Sequence, residues 1–222
     1  MNDDPLFNSM GAGNKPGDDK SHLDGPETNF VQKGDYFDIR GKIANLQEIM
    51  VGAGWDQRMF EKDPLDVDLS CFLLNKSDLT REDGDFVFYN NEKTCEGAIR
   101  HQGDSRTGAG DGDDESIIID LNALPFDIIK IVFVLSIYDG GERDQQFGMV
   151  KNLYLRIVNT ENSHEIFRFP MPETEYEGEI GIKVGELTRE GSKWFFNVMG
   201  EPIPGGLGNI ATKYGIIIAG QG

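Results

Sequence analysis

From Thr28 onward the sequence breaks its apolar residues into short runs, each closed by a cluster of Gly, Asp or Asn, and helical periodicity is nearly absent. That punctuation belongs to many short strands joined by turns. The runs predict strands over 28–32, 36–39, 46–54, 66–74, 85–90, 116–121, 130–138, 151–159, 164–169, 179–188 and 193–199. Polar and apolar residues alternate in Asp66-Val67-Asp68-Leu69, as in a strand with one face covered. Ile131-Val132-Phe133-Val134-Leu135 is apolar throughout and predicts a central strand covered on both faces. A parallel α/β arrangement needs helices of roughly 10–15 residues between its strands, and the sequence offers none. The expected fold is all-β, a β-sandwich of two packed, mainly antiparallel sheets with a few short helices. One such helix is predicted from Leu207 to Tyr214, with Gly215 just past its end. The run from Gly215 to Ala219 reads either as a last strand or as an apolar tail for a partner, because a short apolar run alone does not decide.

The 222 residues suit one large domain. A chain of this length buries enough surface that it needs neither disulfide nor metal as a staple. Residues 1–27 are rich in Gly, Asp, Asn and Pro and are expected to form a disordered lead, with the folded domain over 28–220. Acidic residues outnumber basic ones by 39 to 21, a formal net charge of −18, and no basic stripe occurs. This argues against direct nucleic-acid binding, whose affinity comes largely from phosphate neutralisation, and against anionic membrane surfaces. It suits hard cations or basic partners. Cys71 and Cys95 lack C-x-x-C spacing and are expected to be free thiols in a reducing compartment. Neither a secretory leader pattern nor an apolar run long enough to span a bilayer is visible, so no membrane insertion and a cytoplasmic location are expected.

The stretch richest in chemistry runs from Gly103 to Glu115 and places Asp104, Asp111, Asp113, Asp114 and Glu115 among glycines. Such a density of like charge is tolerated when solvent separates the groups or a cation neutralises them. Calcium suits it, taking roughly six to eight oxygens from carboxylates, carbonyls and water, and glycines let carbonyls turn toward the ion. Asp104 and Glu115 hold the first and last places of a twelve-residue EF-hand loop, but Arg106, Gly108 and Ala109 occupy inner places that demand other residues. A strand follows at Ser116, so the segment joins strands rather than helices. Alone it is equally a solvated turn or a metal site. Asp66 and Asp68 add two carboxylates on one face of a predicted strand. Asn90 and Asn91 end another strand, and Asp139 ends a third; each of these also fits an ordinary turn.

Zinc is disfavoured because His22, His101 and His164 are scattered and no Cys/His spacing exists; His101 beside the acidic loop is taken as incidental. Magnesium prefers fewer carboxylates and usually works with substrate phosphates. No GxxxxGK[ST] loop, nucleophile elbow or HExxH occurs, and no catalytic residue is expected.

Ordered along the chain are Val51-Gly-Ala-Gly-Trp55-Asp56, Asp66-Val-Asp68-Leu-Ser-Cys-Phe-Leu-Leu, Asp85-Phe-Val-Phe-Tyr-Asn90-Asn91, and Gly103-Asp104-Ser-Arg106-Thr107-Gly108 running into Gly110-Asp111-Gly112-Asp113-Asp114-Glu115. Lys130-Ile-Val-Phe-Val, Phe147-Gly148, Arg156-Ile-Val-Asn159, Gly185-Glu-Leu and Gly205-Gly206-Leu207 follow. With these residues the chain, from Thr28 to Ala219, resembles the TerD-type tellurium-resistance and stress-protein family of calcium-binding β-sandwich domains. The resemblance implies calcium, more than one ion, held between the aspartate-bearing strand, the Asn-Asn strand end and the Gly-Asp loop. The ligands it implies first are Asp66, Asp68, Asp104, Asp111, Asp113 and Glu115; Asn90, Asn91, the Gly112 carbonyl, Asp114 and Asp139 come second. Ser105 stands where the family commonly has Asn, which removes one amide from the set. The implied function is a non-enzymatic stress-response protein in which calcium orders acidic loops and presents a surface to other Ter-system proteins, membrane-associated or not. Two other classes stay open from the residues. One is a calcium-dependent lectin-like module, with Trp55, Tyr89 or Tyr138 as a sugar platform unless they are core. The other, less favoured, is a metal-dependent hydrolase.

Overall fold

In the computed structural model, residues 29–41, 43, 45–56, 65–104 and 112–216 are described. Within them the chain forms twelve strands and one α-helix. The strands are β1 (Tyr36–Asp38), β2 (Glu48–Asp56), β3 (Val67–Leu74), β4 (Phe86–Val87), β5 (Lys93–Thr94), β6 (Ile99–Asp104), β7 (Glu115–Asp120), β8 (Lys130–Ile137), β9 (Lys151–Asn159), β10 (His164–Pro170), β11 (Gly181–Glu190) and β12 (Lys193–Pro202), and the helix is α1 (Gly206–Lys213). The first sheet runs β1-β12-β11-β8-β3-β4 and the second β10-β9-β2-β7-β6-β5, six strands each, every neighbour antiparallel. The all-β sandwich expected from the sequence is thus the observed fold.

Alternate residues of both sheets point inward and form one apolar layer. Ile49 and Val51 of β2, Leu69 and Leu73 of β3, Ile117 and Ile119 of β7, and Phe133 of β8 are all fully buried there. Period-two side-chain alternation puts these residues on the same face of each strand. Phe37 and Phe196 of the first sheet meet Phe167 of the second, with ring centroids 5.2 and 4.8 Å away.

The outer face of the first sheet is also apolar. Phe72, Val132 and Val134 lie under Ile210 and Ala211 of α1 and Tyr214 just past its end. This explains the uninterrupted apolar run of β8. The helix ends as the sequence predicts: Gly215 adopts φ +94°, and the Gly215 and Ile216 amides bond back to Thr212 and Ala211, a Schellman closure. The outer face of the second sheet is polar instead, with ion pairs Arg100–Glu48, Arg156–Glu165 and Arg168–Glu165.

Several strand expectations need correction. The alternation at 66–69 predicts one open face, yet every residue of β3 is buried, because β4 and α1 close over its outer side. The strand expected at 85–90 stops at Val87, and the chain then turns, with Phe88 and Asn91 bridged. Strands β5 and β6 are not anticipated by the sequence. Of the described residues 29–32 in the strand expected at 28–32, only Phe30 makes a bridge, parallel to Arg168. The Gly215–Ala219 alternative falls mostly outside the described residues, as does the lead at 1–27.

Among the described residues, three of the four sheet edges are strands of two or three residues, β1, β4 and β5. The fourth, β10, has the Phe30 bridge along it, and the Val31 N–H donates to the Arg168 carbonyl at 3.0 Å.

Candidate functional site

β4 faces only Cys71 and Phe72 of β3. On the edge away from β8, the β3 backbone at Leu69 therefore has no strand beside it among the described residues, and side chains from the second sheet complete its hydrogen bonds. The Leu69 N–H donates to Glu115 Oε2, and the Leu69 carbonyl lies 3.0 Å from His101 Nε2. The Gly103 N–H donates to His101 Nδ1 at 3.1 Å, which places the neutral ring's proton on Nε2. Burial works against a charged ring, but the hydrogen bond and charge of Glu115 outweigh it, so His101 titrates above its ordinary value. His101, taken as incidental from the sequence, is 4% exposed and ties the two sheets together. Glu115 in turn faces Asp104 across the β6–β7 ladder. The base of the acidic loop and the aspartate-bearing strand thus meet.

Asp68 is buried beside Leu69 and lies opposite Ser136 of β8. The Asp66 carbonyl accepts the Tyr138 N–H at 2.8 Å, prolonging the same ladder. Burial and then the charges of Asp68, Tyr138, Asp66 and Asp139 push the Tyr89 hydroxyl up. Three sequence-predicted carboxylates therefore share the surroundings of one phenol.

The rest of the acidic loop is engaged differently. Asp113 is held through both oxygens by Arg156, Nε at 2.7 Å and Nη2 at 3.0 Å, and accepts the Tyr154 hydroxyl at 3.2 Å. Its carboxylate occupies space left by Gly52, where a Cβ would stand 2.2 Å from Asp113 Oδ2. Tyr154 likewise fills the space over Gly54, and its hydroxyl reaches the Gly112 carbonyl at 3.3 Å. The two glycines of Val51-Gly-Ala-Gly-Trp55 thus make room for a polar cluster on the second sheet. Asp114 Oδ2 accepts the Trp55 N–H at 2.8 Å; burial, with the charges of Asp113 and Asp56, pushes this carboxyl up despite that bond.

Asn91 Nδ2 donates to the carbonyls of Phe86 at 2.6 Å and Gly84 at 3.3 Å, so its amide holds the turn; Asn90 is exposed in that turn. Asp139 adopts φ 49° and its carbonyl accepts the Arg143 N–H at 2.9 Å, an ordinary turn position. Asp104 is described in its backbone alone, and Asp111 lies outside the described residues. Among the described residues no three carboxylate, imidazole or thiol groups stand close enough to hold an ion by themselves. Of the aromatic platforms named above, Trp55 is core, whereas Tyr138 is 45% exposed. Sequence reasoning missed Arg156, Tyr154, His101 and Ser136. Glycine at alternate positions of an apolar strand was the signal available for the first two.

An antiparallel sandwich carrying an acidic, glycine-rich strand connection at one end is the class that fold and site define. The chain belongs to the TerD family, whose TerD domain model matches residues 28–214. It is 40% identical over 186 residues to the tellurium resistance protein TerD of an Alcaligenes species, covering 84% of this chain and 96% of that one. It is 40% identical over 187 residues to general stress protein 16U of Bacillus subtilis, with the same two coverages. A solved homologue of the telluride resistance protein TerD from Streptomyces coelicolor superimposes with a TM-score of 0.57 at 20% identity, covering 72% of this chain and 91% of that one. Among the described residues no helix is long and apolar enough to cross a membrane.

Proposed function

We propose that this member of the tellurium and stress resistance family is a non-enzymatic, calcium-binding protein of the cytoplasm. In this reading calcium orders the segment between β6 and β7 and so presents a surface to another Ter-system protein. The observation that carries the reading is the tie from Glu115 to the Leu69 N–H, which brings the base of the acidic segment to the strand bearing Asp68, with Asp66 just before it. Asp66, Asp68 and the 104–111 segment offer hard oxygen donors, the ligand type calcium takes. Asp113 fits least, since Arg156 already neutralises it, and Asp114 and Glu115 are engaged by backbone N–H groups. When bound, calcium supplies positive charge to the clustered carboxylates and stabilises the state that binds it. Calorimetric titration of chelated protein tests this. Calcium is expected to bind the wild type and Asp113→Asn, and to bind Asp68→Asn with Asp104→Asn far more weakly; no heat with wild type, together with no thermal shift, would end the proposal. Hydrogen exchange across 104–115 is expected to slow on loading.

A further inference from the structure

Beside Asp68 the first sheet opens into a cavity of about 960 Å³, a size that takes a small molecule. Phe86, Phe88, Tyr89 and Tyr138 line it. They belong to a run of five rings: Phe72 stacks on Phe86 and Phe86 on Phe88, each at 4.4 Å, Phe88 meets Tyr89 edge-on at 5.2 Å, and Tyr89 meets Tyr138 edge-on at 6.4 Å. The last two pairs, at 83° and 82°, turn the run into an aromatic corner.

Four carboxylates, from Asp68, Asp83, Asp139 and Glu142, line the same cavity, and among the described residues no Lys or Arg does. Ser136 also lines it. That side chain is 3% exposed, and its Oγ meets no hydrogen-bond partner among the described residues. A buried hydroxyl left so is costly, and a ligand N–H would satisfy it.

We propose that this cavity binds a small organic cation carrying N–H donors on an apolar stem, an alkylguanidinium or alkylammonium. Ring faces attract such a cation, the carboxylates match its charge, and Ser136 accepts from its N–H. A hard divalent ion takes oxygens and makes no use of the rings, so the aromatic corner separates this ligand class from calcium. Asp68 and Asp139 are shared with the expected calcium ligands, whereas the rings, Ser136, Asp83 and Glu142 are not, so titration with and without calcium keeps the two readings apart.

Calorimetric titration of the full chain, calcium-loaded and chelated, with n-butylguanidinium and with its neutral counterpart n-butylurea tests it. The cation is expected to bind more tightly than the urea by roughly tenfold or more. Tyr138→Ala and Ser136→Ala should each weaken the cation severalfold, with Tyr138→Phe near wild type. Tyr138 is exposed, so its variants keep the test valid should Ser136→Ala fold poorly. Equal affinity for cation and urea, no binding of the cation, or indifference to Tyr138→Ala overturns the inference. Strict competition by calcium also overturns it, since the carboxylates would then serve the metal and the calcium reading would stand. Cation binding in a protein that takes no calcium upholds it and removes the other.

Discussion

Asp113 and Arg156 are joined through both carboxylate oxygens, on the polar outer face of the second sheet, at a place where the Asp113 side chain is 5% exposed. Removing one partner of a buried pair strands the other charge, which costs about 3–5 kcal/mol in a fully buried case. Arg156 is itself partly open to solvent, so Arg156→Met is expected to cost about 3 kcal/mol in urea denaturation, and Asp113→Asn about half that. The reverse order would mean that the acid, not the cation, is the indispensable member.

Gly52 exists to clear the Asp113 carboxylate. Gly52→Ala should cost about 2–3 kcal/mol in the wild type, because the pair must shift. In an Asp113→Ala background the same change should cost less than about 1 kcal/mol, a coupling read directly from a double-mutant cycle. Additive effects would show that the glycine serves the backbone instead.

Glu115→Ala is expected to destabilise by about 2–3 kcal/mol, since it leaves the buried Leu69 N–H without its acceptor. Glu115→Gln keeps an acceptor oxygen and should cost less. The Leu69 amide is the specific reporter: its hydrogen exchange should accelerate strongly in the alanine variant and little in the glutamine one.

Arg168, and then Arg156, hold Glu165 below its ordinary value near 4.5. A carboxyl whose folded value is depressed contributes stability that is present above the unfolded value and lost as pH falls through the folded one. Glu165→Gln should therefore cost about 1 kcal/mol at neutral pH, a figure kept small because the site is partly solvated. The gap between the two proteins should narrow as pH falls below about 4.5 and close once pH lies below the depressed folded value; a gap that stays constant through the whole acid limb would rule out the linkage.

Cys71 is fully buried, and burial pushes its thiol far up, whereas Cys95 is half-buried within 3.5 Å of Arg81 Nη2. A thiol reagent such as DTNB should react with one cysteine in the native protein and with two after denaturation. Equal fast reaction of both would contradict the packing of β3.

The central strands and the closing helix were legible because their determinants are local: the apolar run 131–135 and Gly215 act through period and φ preference. β6 was not. Its sequence, Ile99-Arg-His-Gln-Gly-Asp104, lacks an apolar alternation, because the inward position after Ile99 carries His101, and that histidine bonds to a backbone 32 residues away. The candidate site suffered from the same cause. Acidic residues at 113–115 look alike in a sequence, yet one meets Arg156, one the Trp55 amide and one the Leu69 amide, all fixed by tertiary pairing. The asparagine pair was ambiguous for another reason: an amide serves a turn as readily as an ion, and Asn91 serves the turn.

The two- and three-residue strands at the margins of both sheets carry a consequence beyond folding. A sheet grows into a fibre by recruiting another chain along a free strand, and β1, β4 and β5 offer almost no length for that, while β10 already has the Phe30 bridge beside it. Among the described residues, the sheet margins therefore give the exposed backbone of an unfolded neighbour little to zip onto.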